Sequence, residues 1–135
     1  MNDNSFIDTN ILLYCYTDDE SDKNKKALNI SDLTNVFISI QVLAEFSNVL
    51  RKKYKYPWNE IELLLYEIIS DFNLFVTKST TIVLACSIAD IYKYSFYDSC
   101  IIAAALDSNC SILYSEDMHH GQIIENKLTI INPFL

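Results

Sequence analysis

Glycine is almost missing from this 135-residue chain, with Gly121 the only one. A phosphate cradle of backbone N–H groups on a glycine-rich turn is therefore excluded, and with it nucleotide binding of the P-loop or dinucleotide type. Paired metal-binding thiols are missing as well. Cys15, Cys86, Cys100 and Cys110 stand inside apolar runs with no C-x-x-C spacing. They read as small buried hydrophobes kept reduced, and zinc is not expected. No stretch reaches the roughly 18–20 apolar residues of a membrane span. Met1-Asn2-Asp3-Asn4 has neither the basic region nor the apolar core of a signal peptide, so the expectation is a cytoplasmic protein. Internal repeats, low-complexity tracts and linkers are lacking, and the length suits one domain over residues 1–135.

Positive charge is also in short supply. Ten Lys and Arg against eighteen Asp and Glu give a formal net charge of −8. That is the wrong sign for ordinary phosphate contacts. Either the protein has no polyanionic partner, or several carboxylates are concentrated at one site to be neutralised by cations. Net charge alone does not separate the two.

What is present is a regular alternation. Ser5-Phe6-Ile7 reads as a short buried strand that delivers Asp8, Thr9 and Asn10 before a second apolar run, Ile11 to Tyr16, continues as a helix. Thr9 or Asn10 is a natural N-cap there. A polar break and a lysine-rich segment (Lys23 to Asp32) follow. Val36-Phe37-Ile38-Ser39 is β-branched and aromatic, as strands are. Val42, Leu43, Phe46, Val49 and Leu50 fall on one helical arc, and Pro57 is suited to open the next helix at its first position. Leu74 to Thr77 predicts a third strand, Ser79 or Thr80 to Tyr92 a helix, and Ser99 to Asn109 the most hydrophobic helix. Ser111 to Tyr114 and Leu128 to Ile131 supply the last two strands. This order calls for a three-layer α/β/α fold around a mainly parallel central sheet of about four to five strands, with right-handed crossovers.

Four carboxylates do not suit a plain core. Asp8 ends the first strand, where open parallel sheets bind ligands, although it is also placed to start a helix. Glu45 lies at the margin of an apolar arc, a position open to an ordinary solvated glutamate too. Asp98 heads the stripe Ile101, Ile102, Ala105 and Leu106, and a lone aspartate there suffers desolvation. Ser95-Phe96-Tyr97-Asp98 equally has the form of a capping box. Asp117 repeats the strand–hydroxyl–carboxylate arrangement of Asp8, with a helix cap as its alternative. Glu116 is next door, and alternation turns only one of the pair to the cleft, Asp117 being favoured. Four such acids within about 5 Å of each other repel, each ionised pair by roughly 3 kcal/mol at an effective dielectric near 20. Some then hold a proton, or a divalent cation sits among them, and hard oxygen donors suit Mg²⁺ or Mn²⁺. The adjacent His119 and His120 are expected in a loop and not as ligands.

Phe6-Ile7-Asp8-Thr9-Asn10-Ile11-Leu12-Leu13, Val42-Leu43-Ala44-Glu45-Phe46, Ser95 to Leu106 and Ser115-Glu116-Asp117 together resemble the PIN domain, and within it the VapC-like toxins of toxin–antitoxin pairs. Order and spacing agree over essentially the whole chain, the third segment being the most specific. The resemblance implies Mg²⁺ or Mn²⁺ held by Asp8, Glu45, Asp98 and Asp117. Asn10 and Ser115 match the small polar positions beside them, and Thr9 and Glu116 flank them. It implies an endoribonuclease in which a metal-activated water leaves a 5′-phosphate and a 3′-hydroxyl. A homodimer and a cognate antitoxin that lies over the site are its implied partners. The fourth motif is the loosest, so Glu116 stays open as a replacement for Asp117. Two basic clusters, Lys23, Lys25, Lys26 and Arg51, Lys52, Lys53, Lys55, are either solvated helix faces or RNA contacts. Tyr54, Tyr56 and Trp58 beside the second suit base stacking or a protein surface. The competing classes are a non-catalytic PIN-like module that binds RNA or protein, and a metal-dependent phosphoesterase with another substrate.

Overall fold

Strands and helices alternate through residues 3–135, which the computed structural model describes. They are β1 (Ser5–Ile7), α1 (Thr9–Tyr16), α2 (Asp22–Ser31), β2 (Val36–Ser39), α3 (Ile40–Lys52), α4 (Trp58–Asp71), β3 (Asn73–Phe75), α5 (Ser79–Tyr92), α6 (Phe96–Asp107), β4 (Ile112–Tyr114), β5 (Ile123–Ile124) and β6 (Leu128–Ile131). The β-branched and aromatic runs form one six-stranded sheet in the order β3-β2-β1-β4-β6-β5. All neighbours pair in parallel except β5 with β6. The sheet thus has one strand more than the apolar runs announce. Ile123-Ile124 is too short to give a signal of its own.

β1 lies between β2 and β4, with Ser5 opposite both Val36 and Ile112. The chain steps from β1 to β2 to β3 in one direction, then returns to β4 on the other side of β1. Strand order therefore reverses between β1 and β4. At such a reversal the connections diverge to opposite faces and leave a crevice at the carboxyl ends of the strands. Helices α1 to α4 pack against one another, and α5 packs along α6. The central strand is sealed from water, with Phe6 and Ile7 fully buried beside Ile11, Leu12, Ile38, Phe46, Ile101 and Ile102.

Local chemistry sets most element ends. Ser21, Ser39 and Ser95 each accept a backbone N–H three residues on and so cap α2, α3 and α6. The lysine-rich segment is a full helix because Asn24 is buried and donates to the carbonyls of Tyr14 (2.6 Å) and Thr17 (3.4 Å). Pro57 is the cap residue of α4 and not its first helical residue. β3 starts at Asn73 and ends at Phe75, one residue earlier at its start and two at its end than the run Leu74 to Thr77. Among the described residues, no helix is long and apolar enough to cross a membrane.

Candidate functional site

β1 and β4 end side by side, and the next residue of each, Asp8 and Ser115, stands in the crevice between them. The Asp8 N–H donates to the Tyr114 carbonyl at 3.0 Å, which carries the parallel ladder one residue past the strand. Asp8 is 8% exposed. Its Oδ1 accepts the Thr9 N–H at 2.7 Å, and its Oδ2 accepts the Ser115 hydroxyl at 2.8 Å. Asp8 is thereby the N-cap of α1, one residue before Thr9 and two before Asn10, which the sequence offers for that role. The helix-starting and site readings of this residue are not exclusive, since one carboxylate oxygen serves each.

Burial raises the Asp8 carboxyl from its ordinary 3.8 to about 6. The Ser115 and Thr9 bonds pull it back, while the charges of Asp98 and Glu45 push it further up. Asp98 and Glu45 thus lie near enough to Asp8, at the carboxyl edge of the sheet, for their charges to act on it. Asp98 is half-buried in the first turn of α6. The Ser95 hydroxyl accepts the Asp98 N–H at 3.3 Å, so a serine hydroxyl makes the cap that the capping-box reading assigned in part to the Asp98 carboxylate. Glu45 is exposed in the second turn of α3 and accepts from Gln41 Nε2 at 2.9 Å.

Asp117 is exposed and held by Asn10, whose Nδ2 donates to Asp117 Oδ2. Glu116 is turned elsewhere. Its Oε1 accepts the Tyr14 hydroxyl at 2.7 Å, and its Oε2 is paired with Lys23. Burial alone would raise Glu116, but the bonds from Lys23 and Tyr14 outweigh it and leave the carboxyl below its usual range. Of the two acids left open by the sequence, one is committed to an ion pair. The other is linked to the helix that Asp8 starts.

The arrangement differs from the anticipated knot of four carboxylates within about 5 Å. Among the described residues, no group of three or more His, Cys, Asp or Glu side chains is gathered closely enough to hold a metal ion. Glu45 and Asp117 are exposed, and each is held by a neighbouring amide. The chemistry of the donor set nevertheless fits a hard divalent cation, because every acid on hand offers oxygen and the buried one is uncomfortable when ionised. Two orphaned hydroxyls point the same way. Thr9 Oγ1 and Ser99 Oγ are buried without a hydrogen-bond partner, each one residue after an acid, Asp8 and Asp98. Buried hydroxyls without partners are rare and cost about 1–3 kcal/mol each.

The histidines hold a loop. His120 Nδ1 accepts the Asn132 N–H at 2.9 Å, and the His119 N–H donates to the Tyr94 hydroxyl at 3.1 Å. In the second basic cluster Arg51 stacks over Trp58 and Lys53 over Tyr54. Gln41, Ser99 and the Tyr14–Lys23 pair were not singled out from the sequence. Gln41 alone carried a usable signal, since it stands four residues before Glu45, the spacing of neighbours on a helix.

A model of the PIN domain family matches residues 5–124. A search of curated proteins gives no significant match. The fold is similar to that of VapC20 from Mycobacterium tuberculosis, described as a sarcin-ricin loop cleaving toxin. That pair has a TM-score of 0.69 and 17% identity, covering 84% of this chain and 90% of that one. It is similar to a chain of a toxin–antitoxin complex from Klebsiella pneumoniae, with a TM-score of 0.72, 20% identity and coverage of 96% and 98%. It is also similar to a chain of VapBC2 from Rickettsia felis, bound to a DNA fragment from their promoter. There the TM-score is 0.66 and the identity 19%, covering 95% and 98%. At these identities the likeness is one of fold.

Proposed function

The chain belongs to the PIN domain family, and from that membership we propose that it is a Mg²⁺- or Mn²⁺-dependent endoribonuclease, the toxin of a toxin–antitoxin pair. The observation that carries the reading is Asp8: a buried carboxylate at the strand-order reversal, raised to about 6 by burial, with Asp98 and Glu45 adding to the rise. Keeping such a group is costly unless a cation or a reaction needs it.

Asp8 and Asp98 would hold the ion directly. Glu45 and Asp117 would hold a second ion, act through water, or take up the proton released from the attacking water. A divalent cation supplies positive charge to the phosphate and leaving oxygens and acidifies bound water. The rest falls to the chain. Ser115 and the Thr9 N–H fix both oxygens of Asp8, so its orientation is set before substrate arrives. Asn10 holds one oxygen of Asp117. The products expected are a 5′-phosphate and a 3′-hydroxyl.

A cognate antitoxin and a homodimer are the proposed partners, and the cytoplasm the proposed setting. Similar structures described as toxin–antitoxin complexes support the antitoxin. A non-catalytic PIN-like module is the second reading, favoured by the lack, among the described residues, of three donors gathered in one place. Single-stranded RNA, single-stranded DNA and a simple phosphodiester, each offered with Mn²⁺ to the purified protein, separate these readings. Cleavage of RNA alone supports the endoribonuclease, cleavage of the others a broader phosphoesterase, and no cleavage the module. RNA cleavage that persists unchanged in Asp8→Asn and Asp98→Asn would refute the site.

A further inference from the structure

The side-chain amide of Gln41 makes two bonds at once, to Glu45 Oε1 at 2.9 Å and to the main-chain carbonyl of Tyr97 at 3.1 Å. Both partners are acceptors only, so the amide orientation is fixed: Nε2 faces them and both of its hydrogens are used. The first bond joins residues four apart on α3, and the second crosses to the first turn of α6. Tyr97 directly precedes Asp98. One side chain therefore ties an acid of α3 to the backbone that carries an acid of α6. The two helices come from separate crossovers, α3 between β2 and β3 and α6 between β3 and β4. Among the described residues Gln41 is the side chain bonded to both. Glu45 is exposed and on its own would sample several rotamers, drawn outward by hydration and by repulsion from Asp98 and Asp8. A donor shared with the neighbouring helix opposes that.

We propose that Gln41 is a positioning residue that holds Glu45 against the start of α6, presetting the separation of the Glu45 and Asp98 carboxylates. The inference rests on the nuclease reading only for the activity it affects. The geometric claim concerns how readily the acid set takes up a cation.

The test uses Gln41→Ala and Gln41→Met. The second keeps the length of the side chain and suits a helix, but cannot donate. Two quantities are measured: the Mn²⁺ concentration at the midpoint of the ion-induced rise in melting temperature, and kcat and KM on single-stranded RNA. Both variants are expected to melt near the wild type without ion, to need about ten times more Mn²⁺, and to lose kcat by about 10- to 100-fold with KM little changed. In a Glu45→Ala background, Gln41→Ala is expected to move the Mn²⁺ midpoint no further, because the residue it acts through is gone. A wild-type midpoint in both variants overturns the proposal, as does a full additional shift in the Glu45→Ala background. A fall in ion-free melting temperature with no change in midpoint makes Gln41 a fold residue and overturns it too. If the wild type cleaves no RNA, the nuclease reading fails while the Mn²⁺ midpoint still decides Gln41. A wild type insensitive to Mn²⁺ overturns both.

Discussion

Ser115 Oγ donates to Asp8 Oδ2 across 2.8 Å, a bond between residues 107 apart in sequence that joins the ends of two adjacent strands. Both partners are buried, so water is poorly placed to replace either. Ser115→Ala should destabilise the protein at neutral pH by about 1.5–3 kcal/mol, the range for a hydrogen bond to a charged group. It should also push the Asp8 carboxyl above about 6, because the bond it removes favours the ionised form. Urea unfolding at pH 5 and pH 8 reads both, and the loss should be larger at pH 8.

Asp8→Asn should stabilise the ion-free protein at neutral pH while abolishing RNA cleavage. The folded carboxyl titrates at about 6 against an ordinary 3.8, so folding favours its protonated form. The stability this group contributes is complete below pH 3.8 and is lost as pH rises through about 6. An amide keeps the shape without the charge. The gain is expected to approach about 3 kcal/mol at pH 7.5 and to vanish near pH 4. Equal stability of the two proteins at both pH values would count against a strained Asp8.

Divalent cations should stabilise the wild type more at pH 7.5 than at pH 5, because below about 6 the proton and the ion compete for Asp8. At 100 times its dissociation constant a bound ion adds about 2.7 kcal/mol. Chelation should reverse the shift, and Asp8→Asn should abolish most of it. Differential scanning fluorimetry across Mg²⁺ and Mn²⁺ series is sufficient.

Glu116 and Asp117 should separate in function. Asp117→Asn is expected to lower RNA cleavage by about 10- to 100-fold, as loss of a residue ordering a metal site does. Glu116→Gln breaks the pair with Lys23 and leaves cleavage close to wild type. Its cost is stability of about 0–1 kcal/mol. Because the Glu116 carboxyl lies below its usual range, that contribution is present at neutral pH and lost as pH falls through the carboxylate range. Paired kinetics and melting curves of the two variants decide the assignment.

The sheet and its order of elements were legible because Phe6-Ile7, Phe37-Ile38 and Leu113 stand in β-rich runs separated by helical spacing. Asp8 and Asp98 stand out as candidates because they interrupt apolar runs where a surface explanation is poor. The spread of the acids was not legible. Sequence gives the element on which Glu45 or Asp117 rides, while the rotamer of each is set by Gln41 and Asn10. The hairpin to β6 gave no signal either. Glu125 and Asn126 both take left-handed backbone, at φ 52° and 55°, without the glycine that usually marks such a turn.

The single glycine of the chain now finds its reason. Gly121 adopts φ +85°, and nothing lies within 4 Å of where a Cβ would stand, so backbone torsion and not crowding selects it. Its N–H donates to the Ile130 carbonyl at 2.7 Å, and the Ile130 N–H donates to the Gln122 carbonyl at 2.9 Å. These bonds seat β5 along β6 and occupy hydrogen-bonding groups that would otherwise form a bare sheet rim. A rim of Leu128, Ile130 and Ile131 left open in that way recruits strands from other molecules and seeds fibrils. The two-residue β5 is thus a guard against edge-to-edge aggregation, and one glycine lets the chain double back to post it.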